Sequence, residues 1–118
     1  MNYSKQNNIA MCNGNKTGFV YALVSIRDES ELSFITFEDN TNYYKSWDVI
    51  YIGLTNNPVA RFAKHRSEKS RKIGMVIFDS AKSPAEGKYK EAKAIYRFIQ
   101  KWGDSPKFQA GDQTYAGA

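Results

Sequence analysis

Apolar residues fall in short runs parted by polar clusters, and the spacing within each run sorts strands from helices. Residues 18–26, GFVYALVSI, are β-branched and aromatic and read as a buried strand, ended by Asp28, Glu29 and Ser30. Ser33 to Phe37 (SFITF) alternates, which predicts a second strand in a long hairpin, and Glu38 to Asn42 is turn chemistry. A third strand, VIYI, runs from Val49 to Ile52 and stops at Gly53. Asn57 then Pro58 predicts a helix start, because Asn accepts bonds from free backbone N–H groups and Pro at the first position needs none. That helix is expected to reach Ser70. Val59, Phe62 and Ala63 share its apolar face with the stem of Arg66, and Arg61 and His65 lie beside that face as an i,i+4 pair. Met75 to Phe78 (MVIF) reads as another core strand. Ser83 and Pro84 open a second helix that continues to Trp102, before Gly103.

This order predicts an α+β fold: a small three-stranded antiparallel β-sheet, open to extension by SFITF, flanked by helices. Residues 1–17 read as a polar, Asn-rich flexible arm, 18–103 as the folded domain and 104–118 as a weakly structured tail. The 118 residues suit one domain.

Composition narrows the function. The apolar fraction is 42% and the charged fraction 25%, so an ordinary globular core is expected rather than a disordered chain. No apolar run approaches the roughly 18–20 residues that span a bilayer. Met1 to Lys16 has no basic-then-apolar leader pattern. The lone Cys12 cannot form an internal disulfide, which fits a reducing compartment and the cytoplasm. A formal net charge of +5 favours polyanionic partners. The charge is concentrated: Arg61, Lys64, Arg66, Lys69, Arg71 and Lys72 face one local acid, Glu68. Such density predicts a surface that contacts nucleic-acid phosphates.

Several residues could carry chemistry. Tyr21 and Tyr51 lie on two predicted strands, and alternation places Tyr21 with Phe19 and Leu23, and Tyr51 with Val49 and Gly53, so the phenols could converge. The alternative is a pair of core tyrosines with satisfied hydroxyls. Arg61 offers a fixed charge and a fork of donors suited to phosphate oxygens, and His65 titrates near neutrality. On the second helix, Ile95, Phe98, Ile99 and Trp102 define the apolar face, and Glu91 falls within it, about 40° from Ile95. Glu91 could pair with Arg61 or another base, reach water at the core edge, or hold a divalent cation with waters.

Together these residues resemble the GIY-YIG nuclease superfamily over about Gly18 to Trp102. Phe19-Val20-Tyr21 takes the place of the first tripeptide, with Phe19 where the family usually has Gly, and Tyr51-Ile52-Gly53 matches the second. Arg61 matches the family's helix arginine, His65 its His or Tyr one turn later, and Glu91 its metal-binding glutamate. The resemblance implies a divalent-metal-dependent endonuclease that hydrolyses DNA phosphodiester bonds, leaving 5′-phosphate and 3′-hydroxyl ends. It implies Mg²⁺ (or Mn²⁺) on Glu91, phosphate stabilisation by Arg61, and proton removal from water by Tyr21, helped by Tyr51 or His65. It also suggests a phage, mobile-element or restriction role. Specificity would come from the insertion, the termini, a homodimer or a protein partner. The alternative is a catalytically weak or inactive nucleic-acid- or protein-binding module on the same scaffold. Two departures stand out. The spacer between Tyr21 and Tyr51 is long and holds SFITF and Asn42-Tyr43-Tyr44. The family's late asparagine is missing, leaving Gln109 or Gln113 as stand-ins.

Overall fold

Strand β1 (Gly18–Ser25) is buried at every residue from Gly18 to Val24, which is why its sequence is continuously apolar rather than alternating. The chain was analysed as a computed structural model that describes residues 18–28, 30–38, 48–69 and 71–109. The expected N-terminal arm, Asn42-Tyr43-Tyr44 and Gln113 lie outside the described residues.

Four strands form one sheet in the order β2-β4-β1-β3, with β2 at Ile35–Phe37, β3 at Val49–Thr55 and β4 at Ile73–Ala81. Three of the four, β4, β1 and β3, match the expected antiparallel sheet: β1 pairs antiparallel with β3 and with β4. The hairpin expectation for SFITF does not hold. β2 pairs with β4, and in parallel, at the far edge of the sheet. The Met75 N–H donates to the Phe34 carbonyl at 2.8 Å and the Glu38 N–H to the Ile77 carbonyl at 2.9 Å, so the backbone bonds of this segment go to β4. β1 already has a neighbour on each side, so no hydrogen-bonding edge remains for a hairpin partner. The turn that ends β1 is held by Asp28. Its carboxylate accepts from the Ser30 N–H at 2.9 Å and the Ser30 hydroxyl at 2.7 Å, which holds its carboxyl below the usual range.

Two helices cover the sheet, one on each face. Helix α1 (Pro58–Glu68) seats Phe62 against Phe19, Tyr21 and Leu23 of β1. Helix α2 (Pro84–Trp102) seats Ile95 and Phe98 against Val20, Ala22 and Val24. Successive strand residues point to opposite faces, so these two residue sets belong to opposite sides of the sheet. The helix ends follow the sequence signals. Asn57 Oδ1 accepts from the Ala60 N–H at 3.2 Å, Ser83 Oγ from the Glu86 N–H at 3.1 Å, and Gly103 closes α2 at φ 88°.

The buried faces differ in detail from the expected ones. On α1 the buried residues are Pro58, Phe62 and His65, while Val59 and Ala63 are exposed. On α2, Ile99 and Trp102 are exposed at 39% and 42%, because they lie in the last turn of the helix. The tail is not wholly loose: Pro106 and Gln109 are buried.

Candidate active site

The site forms where α1 crosses the β1–β3 ladder. Tyr21 lies opposite Gly53, and Leu23 opposite Tyr51. Both tyrosines therefore stand on the face that α1 covers. The two phenol rings do converge, with centroids 6.1 Å apart. A β-bulge between Val20 and Tyr21 on the β4 side shifts the register at the candidate tyrosine. Gly53 makes the close approach possible: a Cβ there would fall 2.6 Å from Tyr21 Oη and 2.7 Å from the Tyr51 ring. The glycine of the Tyr51-Ile52-Gly53 tripeptide thus makes room for both phenols.

His65 completes the cluster from the helix. It follows Pro58 and Phe62 at i+7 and i+3, which is one continuous helical stripe, and is 7% exposed. His65 Nε2 lies 2.8 Å from Tyr21 Oη, and the His65 ring centroid is 5.1 Å from that of Tyr51. Tyr21 is fully buried and Tyr51 is half-buried. A buried imidazole and phenol within hydrogen-bond reach of each other form a unit that can hold or move a proton.

Lys69, one of the cations expected to face phosphate, also reaches the site: its Nζ is 3.3 Å from His65 Nδ1 and 5.9 Å from the centre of the Tyr51 ring. Its position four residues after His65 was the available signal. The Lys72 ammonium donates to the Glu31 carbonyl at the surface. Arg71 lies over the Phe108 ring at 5.5 Å. Lys64 and Arg66 remain exposed on α1, as a phosphate-facing role requires.

Arg61 is half-buried one turn before His65. Glu91 is half-buried in the second turn of α2. The structure brings Tyr21, Tyr51 and His65 together on one face of the sheet, and places Glu91 on the helix that covers the other. Helices α1 and α2 nonetheless begin at the same end of the sheet, because β3 and β4 both run antiparallel to β1. Lys90, the neighbour of Glu91, pairs with Asp79 at 3.2 Å. No cluster of three or more His, Cys, Asp or Glu side chains suited to a metal occurs among the described residues.

Gln109 was named only as a stand-in for a missing asparagine, and the structure gives it a definite place. β3 is an edge strand, so one side of it lacks a neighbour. The Ile52 N–H donates to Gln109 Oε1 at 2.7 Å, and Gln109 Nε2 donates to the Ile52 carbonyl at 2.9 Å. The adjacent Phe108 N–H donates to the Ile50 carbonyl at 2.8 Å. One amide side chain thus closes both backbone groups of the residue between Tyr51 and Gly53.

No helix among the described residues is long and apolar enough to cross a membrane. The chain matches no family model, no curated protein and no solved structure.

Proposed function

We propose that the protein is a divalent-metal-dependent endonuclease acting on DNA, with a site of the GIY-YIG type. The observation that carries this reading is the Tyr21–His65 contact of 2.8 Å beside Tyr51 and against Gly53. Two phenols and an imidazole, gathered by residues that resemble a family's motif, form a proton-handling centre. The net charge of +5 and the exposed Lys64 and Arg66 favour a polyanionic substrate.

In this reading Arg61, with its fork of donors, binds the scissile phosphate and stabilises the charge that builds on it. Tyr21 accepts the proton of the attacking water as the phenolate, its own proton having passed to solvent before the step, and His65 and Tyr51 hold its ring in place. A free tyrosine titrates near 10, so the phenol depends on nearby positive charge and donors to act at neutrality. Glu91 would hold Mg²⁺ or Mn²⁺, which supplies Lewis-acid stabilisation of the phosphate oxygens when bound. The products would carry 5′-phosphate and 3′-hydroxyl ends.

A second reading is a nucleic-acid-binding module on the same scaffold that does not cleave. It is favoured by the complete burial of Tyr21 and by the place of Glu91 on the helix across the sheet. Incubation of supercoiled DNA with Mg²⁺ or with EDTA separates the two, using wild type, Glu91→Ala and Arg61→Ala. The nuclease reading expects nicking or linearisation in Mg²⁺ only, with each variant reduced about 100-fold or more. Cleavage that persists in EDTA or in Glu91→Ala would rule out the metal role of Glu91. Salt-dependent binding without any cleavage would leave the second reading.

A further inference from the structure

We propose that Lys69 is a positioning residue: it fixes His65 in the neutral form protonated at Nε2, so that the imidazole donates to the Tyr21 phenol. The inference builds on the nuclease reading for its consequence, but the tautomer itself does not depend on any activity.

Lys69 is held firmly enough to act this way. It is the C-cap of α1, and its backbone N–H donates to the His65 carbonyl at 3.0 Å. Its half-buried side chain runs back toward the site, with Nζ 5.9 Å from the centre of the Tyr51 ring and 5.4 Å from that of Phe108. Two aromatic faces therefore favour the ammonium where it stands. That ammonium lies 3.3 Å from His65 Nδ1.

An ammonium has three donors and no acceptor. At 3.3 Å, Nδ1 can bond to it only through a free lone pair. A proton on Nδ1 would set two donors face to face, and a doubly protonated ring would add a second positive charge beside the first. Neutral imidazole carries one proton, so it must be on Nε2. Nε2 then donates across the 2.8 Å contact, and Tyr21 Oη accepts.

The direction of this bond decides what His65 can do. An imidazole with a proton already on Nε2 cannot take the phenol's proton. Its N–H can instead stabilise Tyr21 as the phenolate, the form able to accept a proton from water, since hydrogen bonds to ionised acceptors are about twice as strong as neutral ones. His65 therefore supports Tyr21 as a base rather than relaying its proton. Lys69, tied to the far side of the ring, keeps it in that form. The logic is that of outer partners that set the tautomer of metal-bound histidines.

The chain has a single histidine, so its imidazole nitrogens give one pair of signals in ¹⁵N NMR. Spectra of the full-length protein, taken above the imidazole titration range, should show a protonated Nε2 and an unprotonated Nδ1 in wild type and Lys69→Arg. Lys69→Met should move both nitrogens toward the averaged values of mixed tautomers. Protonated Nδ1 in wild type, or identical spectra for wild type and Lys69→Met, would overturn the proposal. In the DNA-cleavage assay, Lys69→Met should lose about 10-fold to 100-fold while Lys69→Arg retains most activity. Equal cleavage by Lys69→Met and wild type would overturn its positioning role. If no form cleaves DNA, the nuclease reading fails while the NMR result still decides the tautomer.

Discussion

Side chains that a strand or helix pattern alone would call core make up the centre of this site. Tyr21, Phe62 and Leu23 are all fully buried on the same face. What distinguishes Tyr21 is its hydroxyl, which finds His65 in place of solvent. Gly53 is the residue on which that arrangement depends. Gly53→Ala would place a methyl group 2.6 Å from Tyr21 Oη. Either the phenol turns away from His65 or the β1–β3 ladder shifts. The expected cost is about 1–3 kcal/mol, read as a lower urea midpoint. The same variant should alter the His65 ¹⁵N signals, because the Tyr21 contact is disturbed. An unchanged midpoint and unchanged signals would mean that Gly53 does not govern the approach of the two side chains.

At the level of elements, the sequence announced the helices well and the sheet only in part. Asn57-Pro58, Ser83-Pro84 and Gly103 are local signals, and each bounds a helix where expected. The stripe on α1 was harder to read. Val59 and Ala63 are apolar and pull the pattern toward themselves, but the buried row is Pro58, Phe62 and His65, with Lys69 beyond it. Small residues such as Ala carry little burial energy, so their position says little about which way a helix faces. The parallel pairing of β2 with β4 had no local signal, since a three-residue strand shows a period but not a partner. Gln109 was legible only as a polar residue in a tail. Its role depends on a contact with Ile52, 57 residues away in sequence. Gln109→Ala should leave the Ile52 N–H and carbonyl without that partner. The expected loss is about 2 kcal/mol of stability, with faster amide exchange at Ile52. Wild-type stability together with wild-type exchange would show that the clamp contributes nothing to β3.

For the whole molecule, the two helices begin at one end of the sheet and lie on opposite faces of it. This geometry sharpens the motif comparison that Tyr51-Ile52-Gly53 and His65 suggest. Tyr21, Tyr51 and His65 meet on the face that α1 covers, and Glu91 belongs to the helix on the other face. The basic cluster from Arg61 to Lys72 also divides once folded. Lys64 and Arg66 face solvent, Lys69 turns to His65, and Lys72 turns to the Glu31 carbonyl.

The central claim is that the buried Tyr21 phenol takes part in DNA hydrolysis. Its most direct test is the rate of supercoiled-DNA nicking in Mg²⁺ by wild type and by Tyr21→Phe, with both shown to be folded by circular dichroism. That change removes the phenol oxygen that meets His65 and keeps the ring in the core. The account predicts cleavage by wild type and a rate at least about 100-fold lower for Tyr21→Phe, the effect expected when a general base is lost. Equal rates for the two proteins, or no cleavage by wild type, would contradict it.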